Sequence, residues 1–303
     1  MSKDITKDQA TNRVNIVGKL LDVVFRAGKL QDGRDYESAN MTIRVTQTYG
    51  GREETSEIPV SLFASKYTLS NKLNPGYEQL QALKEMKTAQ NSGLASAETV
   101  RLGMTSLREN NFVSKSGQLI NGWQLNTSYV NTGSSIADVA SFILDIFIMD
   151  MHPEEDRDGD STGRLIVKGG LVQYGGTLDV LEFIVEDPNS VDYIERNWNV
   201  NDTVTIRGRI RMTVVEEKSS GSSSSWGEDI PDTTTKTIRE LIITKGDDNG
   251  KEEEFAYDPV EIKKAFNVRK AKIEQLQIDA KNRSNSKKES AAASATPSKY
   301  SWE

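Results

Sequence analysis

The chain has 303 residues, of which 27% are charged and 7% aromatic, with a net charge of −7 and no cysteine. That length suits about two ordinary domains with cores of their own, and the missing thiols exclude a disulfide framework, a thiolate metal site and a cysteine nucleophile. No apolar run approaches the roughly 18 residues that cross a bilayer, and the first residues lack a secretory h-region, so no membrane partner and a cytoplasmic location are expected.

Charge is unevenly placed. Residues 12–135 carry 14 Lys and Arg against 11 Asp and Glu, a net +3, whereas residues 136–246 carry 11 against 21, a net −10, and the two ends are each balanced. A polyanion responds to such local fields, not to the acidic average.

In chain order, residues 1–11 are polar and read as a flexible arm. Val14, Ile16 and Leu20 then alternate with Asn15 and Lys19 around Gly18, a half-buried strand over 12–26. A turn at Gln31, Asp32 and Gly33 leads to alternating strands over 41–48 and 55–64. Helical spacing of Tyr77, Leu80 and Leu83 predicts a helix over 75–90. Strands over 98–108 and 119–130 complete the unit.

The second half repeats that order. A hairpin over 142–150 and 163–174, a strand over 177–185, a short helix over 189–198, a strand from Thr203 and a last strand over 234–244 are expected. Three strands, a helix and two strands, with glycines at curl points, is the order of an OB-fold, the five-stranded Greek-key barrel. The expected class is all-β with minor α: two tandem OB-fold barrels, 12–135 and 136–246, then a helical, partly disordered tail over 247–303. A pair of β-sandwiches would need more strands per unit.

The strand T-V-T-I-R-G-R-I-R-M-T-V, 203–214, puts Val204, Ile206, Ile210 and Met212 on one face and Arg207, Arg209 and Arg211 on the other. Gly208 on the apolar face permits a sharp bend. Residues 98–108 repeat the device with Val100, Leu102 and Met104 opposite Arg101 and a central Gly103. Between the last two strands, residues 216–232 form a serine-rich acidic loop expected to be disordered. From residue 282 onward Ser, Ala and Lys predominate, which reads as a disordered tail.

The opening strand N-R-V-N-I-V-G-K-L, residues 12–20, resembles that of bacterial and phage single-stranded DNA-binding proteins, roughly N-x-V-x-L-V-G-x-L. The resemblance covers that strand and the element order. It implies OB barrels whose open face holds single-stranded DNA through basic and aromatic side chains, and the tandem form resembles the minority of members with two barrels per subunit. It further implies a role in DNA replication or recombination, of phage type and then in the host cytoplasm, with proteins of those systems as partners. The family typically ends in an acidic tip that recruits partners, whereas this chain ends with Lys281, Arg283, Lys287, Lys288 and Lys299. A similar string, W-G-E-D-I-P-D, lies internally, so Trp226, Glu228, Asp229 and Asp232 are the partner-binding candidates.

For phosphate, the outward candidates of the first unit are Arg13, Lys19, Arg44, Arg101 and Arg108; for base stacking, at about 1–3 kcal/mol per base, they are Phe63, Tyr67, Trp123 and Tyr129. Phe63 and Trp123 suit core or edge packing equally well. In the second unit Arg207, Arg209 and Arg211 form the densest cationic row, and pairing with acids such as Glu182 competes with DNA contact. Trp198 is expected to plug the barrel end.

Catalytic signals are thin. The one histidine, His152, precedes an acidic turn whose Asp156, Asp158 and Asp160 lack the glycine and glutamate spacing of a calcium loop. Walker, nucleophile-elbow and dinucleotide motifs are missing. A non-enzymatic binder without cofactor or metal is expected; the alternative is an OB-fold structural or adaptor protein, such as a virion component, holding protein partners.

Overall fold

The computed structural model describes residues 2–114, 116–133, 135–156, 158–218 and 233–294, with 216–218, 233–234 and 284–294 described by backbone alone. In the first unit, β1 (Asn12–Lys29), β2 (Asp35–Tyr49) and β3 (Arg52–Ser65) form a meander followed by α1 (Pro75–Lys84) and the single turn α2 (Ala89–Ser92). Next come β4 (Thr99–Gly103), β5 (Ser106–Glu109), a small flap of β6 (Phe112–Val113) and β7 (Leu119–Ile120), then β8 (Trp123–Thr127) and β9 (Tyr129–Thr132). The second unit runs β10 (Val139–Glu155), β11 (Ser161–Val172), β12 (Leu178–Val185), α3 (Pro188–Asn197), β13 (Thr203–Lys218) and β14 (Thr233–Gly246), and α4 (Pro259–Ser294) follows.

Both units close. In the second the order is β10–β11–β12–β14–β13 and back to β10, with β12 and β14 parallel and the other neighbours antiparallel. In the first it is β1–β2–β3–β8–β5, with β3 and β8 parallel; β4 returns to β1 and Val14 N–H reaches the Thr105 carbonyl at 3.0 Å. Each is an OB barrel. Inward residues such as Ile16, Leu20, Ile43, Val60 and Leu125 fill the first, and Phe142 and Phe183, with ring centroids 5.9 Å apart, sit in the second.

One feature joins the barrels into a single sheet. Residues 12–17 of β1 pair antiparallel with 139–144 of β10, and from Lys19 onward the same edge of β1 pairs with β2. β4 takes the opposite edge of β1, as β13 takes the opposite edge of β10. The two first strands thus pair with each other along the seam, inward Val14 opposite inward Phe142.

Local chemistry explains where the elements depart from expectation. The helix expected over 75–90 stops at Lys84; a new turn starts at Thr88, whose side chain and that of Asn91 satisfy each other's backbone N–H groups. The strand expected over 98–108 breaks at Met104, which is left-handed with φ 52°, letting the chain change partners from β1 and β9 to β8. Gly208 lies at a bulge where a Cβ would come within 2.1 Å of the Ile242 carbonyl and 2.2 Å of the Phe142 ring.

Two expectations need correction. Residues 2–11 are not a loose arm: Ile5 and Ala10 are buried, Ala10 N–H donates to the Val172 carbonyl, and the Tyr257 hydroxyl donates to the Asp8 carbonyl. Residues 282–294, assigned to a disordered tail, continue α4, since alanine, lysine and glutamate are strong helix formers. Residues 219–232, with Trp226, Glu228, Asp229 and Asp232, and residues 295–303 lie outside the described residues. No described helix is long and apolar enough to cross a membrane.

Candidate nucleic-acid interface

β1 is the spine of the exposed face. Val14, Ile16 and Leu20 point into the barrel, so Arg13, Asn15 and Lys19 point out, as does Val17, which its neighbours cover completely, and past the bulge between Leu20 and Asp22 the outward series continues as Asp22, Val24, Arg26 and Gly28. Gly18 is required because a Cβ there would fall 2.2 Å from the Arg44 carbonyl oxygen.

A cationic row crosses the seam at one end of this spine. Arg13 lies opposite Ile143, Ile143 opposite Arg207, and Arg207 opposite Lys245, which aligns three cations over four strands and two barrels. On the other edge Val17 lies opposite Arg101 and Arg101 opposite Asn131. Arg13, Arg101, Arg207 and Lys245 are all exposed, and among the described residues none is in an ion pair. A cleft of about 880 Å³ takes in Arg13 and Arg101, lined in part also by Asn15, Met104, Asn131 and Ser141. Tyr129 leans over Gly103, where a Cβ would be 3.3 Å away, and Met104 is 76% exposed beside it. Unpaired guanidinium groups beside an exposed ring and a thioether offer phosphate contact and base stacking together.

The other end is aromatic. Tyr36 and Phe63 stand on neighbouring strands with ring centroids 5.1 Å apart, Phe63 is 56% exposed, and the Tyr36 ring lies over Gly28. Val24 and Arg26 flank them, both exposed. In the adjoining loop Tyr67 is exposed, Lys66 Nζ lies 5.7 Å from its ring centre, and Arg34 donates to its carbonyl at 3.1 Å.

Several expected contacts are engaged elsewhere. Lys19 Nζ donates to the Ala97 carbonyl at 2.9 Å, Arg44 is bound to Glu57 at 2.6 Å, and Arg108 Nε donates to Asp179 at 2.9 Å, tying β5 to the second barrel. Trp123 is 8% exposed; the Arg239 guanidinium covers its ring at 4.5 Å and donates to its carbonyl, so it offers no stacking face. Of the arginine row, Arg207 alone has no ion pair among the described residues. Arg209 is buried, lies 4.3 Å from the Tyr49 ring centre and bridges Glu54 and Glu186, while Arg211 holds Glu186 and Glu240. Glu240 is also held by Arg164 at 2.7 Å; burial alone would raise its carboxyl, and these two guanidinium groups outweigh that and lower it. The acids of this network are thus Glu54, Glu186 and Glu240, and Glu182 instead lies opposite Lys168.

Trp198 is buried, its ring packed against Gly246 and its Nε1 donating to the Asp247 carbonyl at 2.9 Å. In the acidic turn the Asp156 carboxylate accepts the N–H groups of Asp158 and Asp160, and among the described residues no cluster could hold a metal ion. His152 Nδ1 is 3.1 Å from Asp150. Sequence reasoning missed Tyr36, Asn131 and Lys245. Tyr36 was legible, because its alternation with Glu37 and Ala39 extends the second strand back from Met41.

Two closed Greek-key barrels joined through their first strands, with an unpaired cationic row across the seam, define a tandem OB-fold protein. The chain belongs to the YorF family, whose model matches residues 10–279. Among solved structures it is similar to the wild-type single-stranded DNA binding protein from Thermus aquaticus, with a TM-score of 0.50 and 11% identity over 82% of this chain and 98% of that one. A deletion mutant of that protein gives a TM-score of 0.47 and 13% identity over 83% and 98%. At such identity the likeness concerns the fold. A search of curated proteins gives no match.

Proposed function

We propose that this protein is a non-enzymatic single-stranded DNA-binding protein of a replication or recombination system, of the kind phages use, and that the strand lies along the outer face of β1. The observation that carries this reading is the row of cations Arg13, Arg101, Arg207 and Lys245, unpaired among the described residues, on the same face as the exposed rings of Tyr129 and Phe63 and the half-buried ring of Tyr36. A cationic track neutralises phosphates, and aromatic faces stack bases without reading sequence. The opening-strand pattern of residues 12–20 supports the link to bacterial and phage binders.

The test is a titration of the full chain with labelled oligonucleotides of mixed and homopolymeric sequence. Tight binding with little sequence preference, weakening steeply with salt, is expected. Absence of binding at low salt would overturn the reading and favour an adaptor whose barrels hold protein.

A further inference from the structure

The balanced charge of the last residues hides a segregation. Residues 263–288 of α4 carry nine Lys and Arg against two acids, Glu274 and Asp279, in a chain of net charge −7. α4 packs on the barrels through its start: Ile262 is buried, Ala265 and Phe266 pack on the core, and Arg269 Nε donates to Glu109 of β5 at 2.7 Å. Beyond Arg269 none of its described side chains is buried, and its backbone continues to Ser294, a projection of roughly 37 Å at 1.5 Å per residue.

Lys263, Lys270, Lys281 and Lys288 recur at intervals that return to within about 20° of one side of an α-helix, with Glu274 the one acid on that side. Lys263 and Lys270 are exposed and in no ion pair among the described residues. The only ring in α4 is Phe266, which packs inward, so this helix reads charge and has nothing with which to stack a base. A basic helix without exposed aromatic faces suits a polyanion whose bases are already stacked. Double-stranded DNA carries one charge per about 1.7 Å of axis.

We propose that the projecting part of α4 is a second DNA site that takes the phosphates of duplex DNA, separate from the stacking face of the first barrel. A strand held on β1 and a duplex held on α4 together would place the protein at junctions between single- and double-stranded DNA. The duplex site goes beyond the single-strand reading and stands without it.

The test uses the full chain carrying Lys263→Gln, Lys270→Gln, Lys281→Gln and Lys288→Gln, with the four Lys→Arg changes as the charge-keeping control. Binding to a labelled blunt duplex and to labelled oligothymidine is measured between about 50 and 200 mM salt, alongside a thermal melt. Wild type and the Arg control should bind duplex; the Gln variant should lose about tenfold in duplex affinity and about 3–4 in log–log salt slope, at 0.9 per contact, with oligothymidine binding and melting unchanged. No duplex binding by wild type, an unchanged slope in the Gln variant, or equal losses for duplex and single strand would overturn the second site. So would tighter lysine-dependent binding to phosphatidylserine vesicles than to duplex. Wild-type binding to duplex but not to oligothymidine would instead count against the single-strand reading alone.

Discussion

Trp123 and Phe63 form a matched pair for separating packing from binding. Trp123 is almost fully buried with its ring covered by Arg239, so Trp123→Ala leaves a cavity and strips the Arg239 guanidinium of its aromatic partner. Large-to-small changes of this kind cost about 3–5 kcal/mol. At about 2–4 °C per kcal/mol for a protein of this size, the melting temperature should fall by on the order of 10 °C. Affinity of the folded protein for an oligonucleotide should not change. Phe63 is more than half exposed and touches Tyr36 on one side, so Phe63→Ala should change stability by less than about 1 kcal/mol. If the ring stacks a base, affinity should fall by about 1–3 kcal/mol, which is roughly 5- to 150-fold. Differential scanning calorimetry and fluorescence anisotropy on the same preparations read both quantities. A Trp123→Ala protein with unchanged melting and weakened DNA binding would refute the assignment.

Arg209→Ala removes the buried cation that bridges Glu54 and Glu186 and leaves Arg211 to hold both, so a loss of about 1.5–3 kcal/mol in a denaturant titration is expected, with DNA affinity of the folded protein unchanged. Gly208→Ala forces a Cβ against the Ile242 carbonyl and the Phe142 ring, and a loss of at least about 1–3 kcal/mol by chemical denaturation is expected; a neutral result would contradict the bulge geometry. Burial alone would raise the Asp145 carboxyl, but hydrogen bonds from Lys251, Thr205 and Thr11 outweigh it and hold it below its ordinary value. Its contribution is therefore complete above the unfolded value of about 3.9 and is lost as pH falls through the lower folded one. Asp145→Asn should flatten the stability–pH curve in that acidic range, and an unaltered slope in melts across it would argue against this.

Much of the barrel architecture was legible because its signals are local. Alternation over residues 12–20 and 203–214 marks half-buried strands, and the glycines 18 and 208 mark positions where carbonyl oxygens approach too closely for any side chain. What escaped the sequence was partner choice. Arg207, Arg209 and Arg211 are equivalent by alternation, yet only tertiary contact decides that Glu54, arriving from the β2–β3 hairpin of the other barrel, covers Arg209 and leaves Arg207 without an ion pair among the described residues. Lys245 joined the row because the ladder shifts between Arg207 and Gly208, a displacement that no periodicity announces. Trp123 was ambiguous for a similar reason: its lid, Arg239, lies 116 residues further along the chain.

The sharing of an edge by β1 and β10 also bears on experiment. Cutting between the barrels would expose the 12–17 edge of β1, so comparison of binding by the two halves is better made through substitutions in the full chain.

The most direct test of the central claim is the salt dependence of oligothymidine binding by the variant Arg13→Gln/Arg101→Gln/Arg207→Gln. Each of these guanidinium groups is exposed and unpaired among the described residues, so the fold should keep its melting temperature. With about 0.7 of log–log salt slope per phosphate contact on a single strand, the slope should fall by about 2 and affinity should drop most at low salt. A variant that keeps both the wild-type slope and the wild-type affinity would show that the strand does not run across this face.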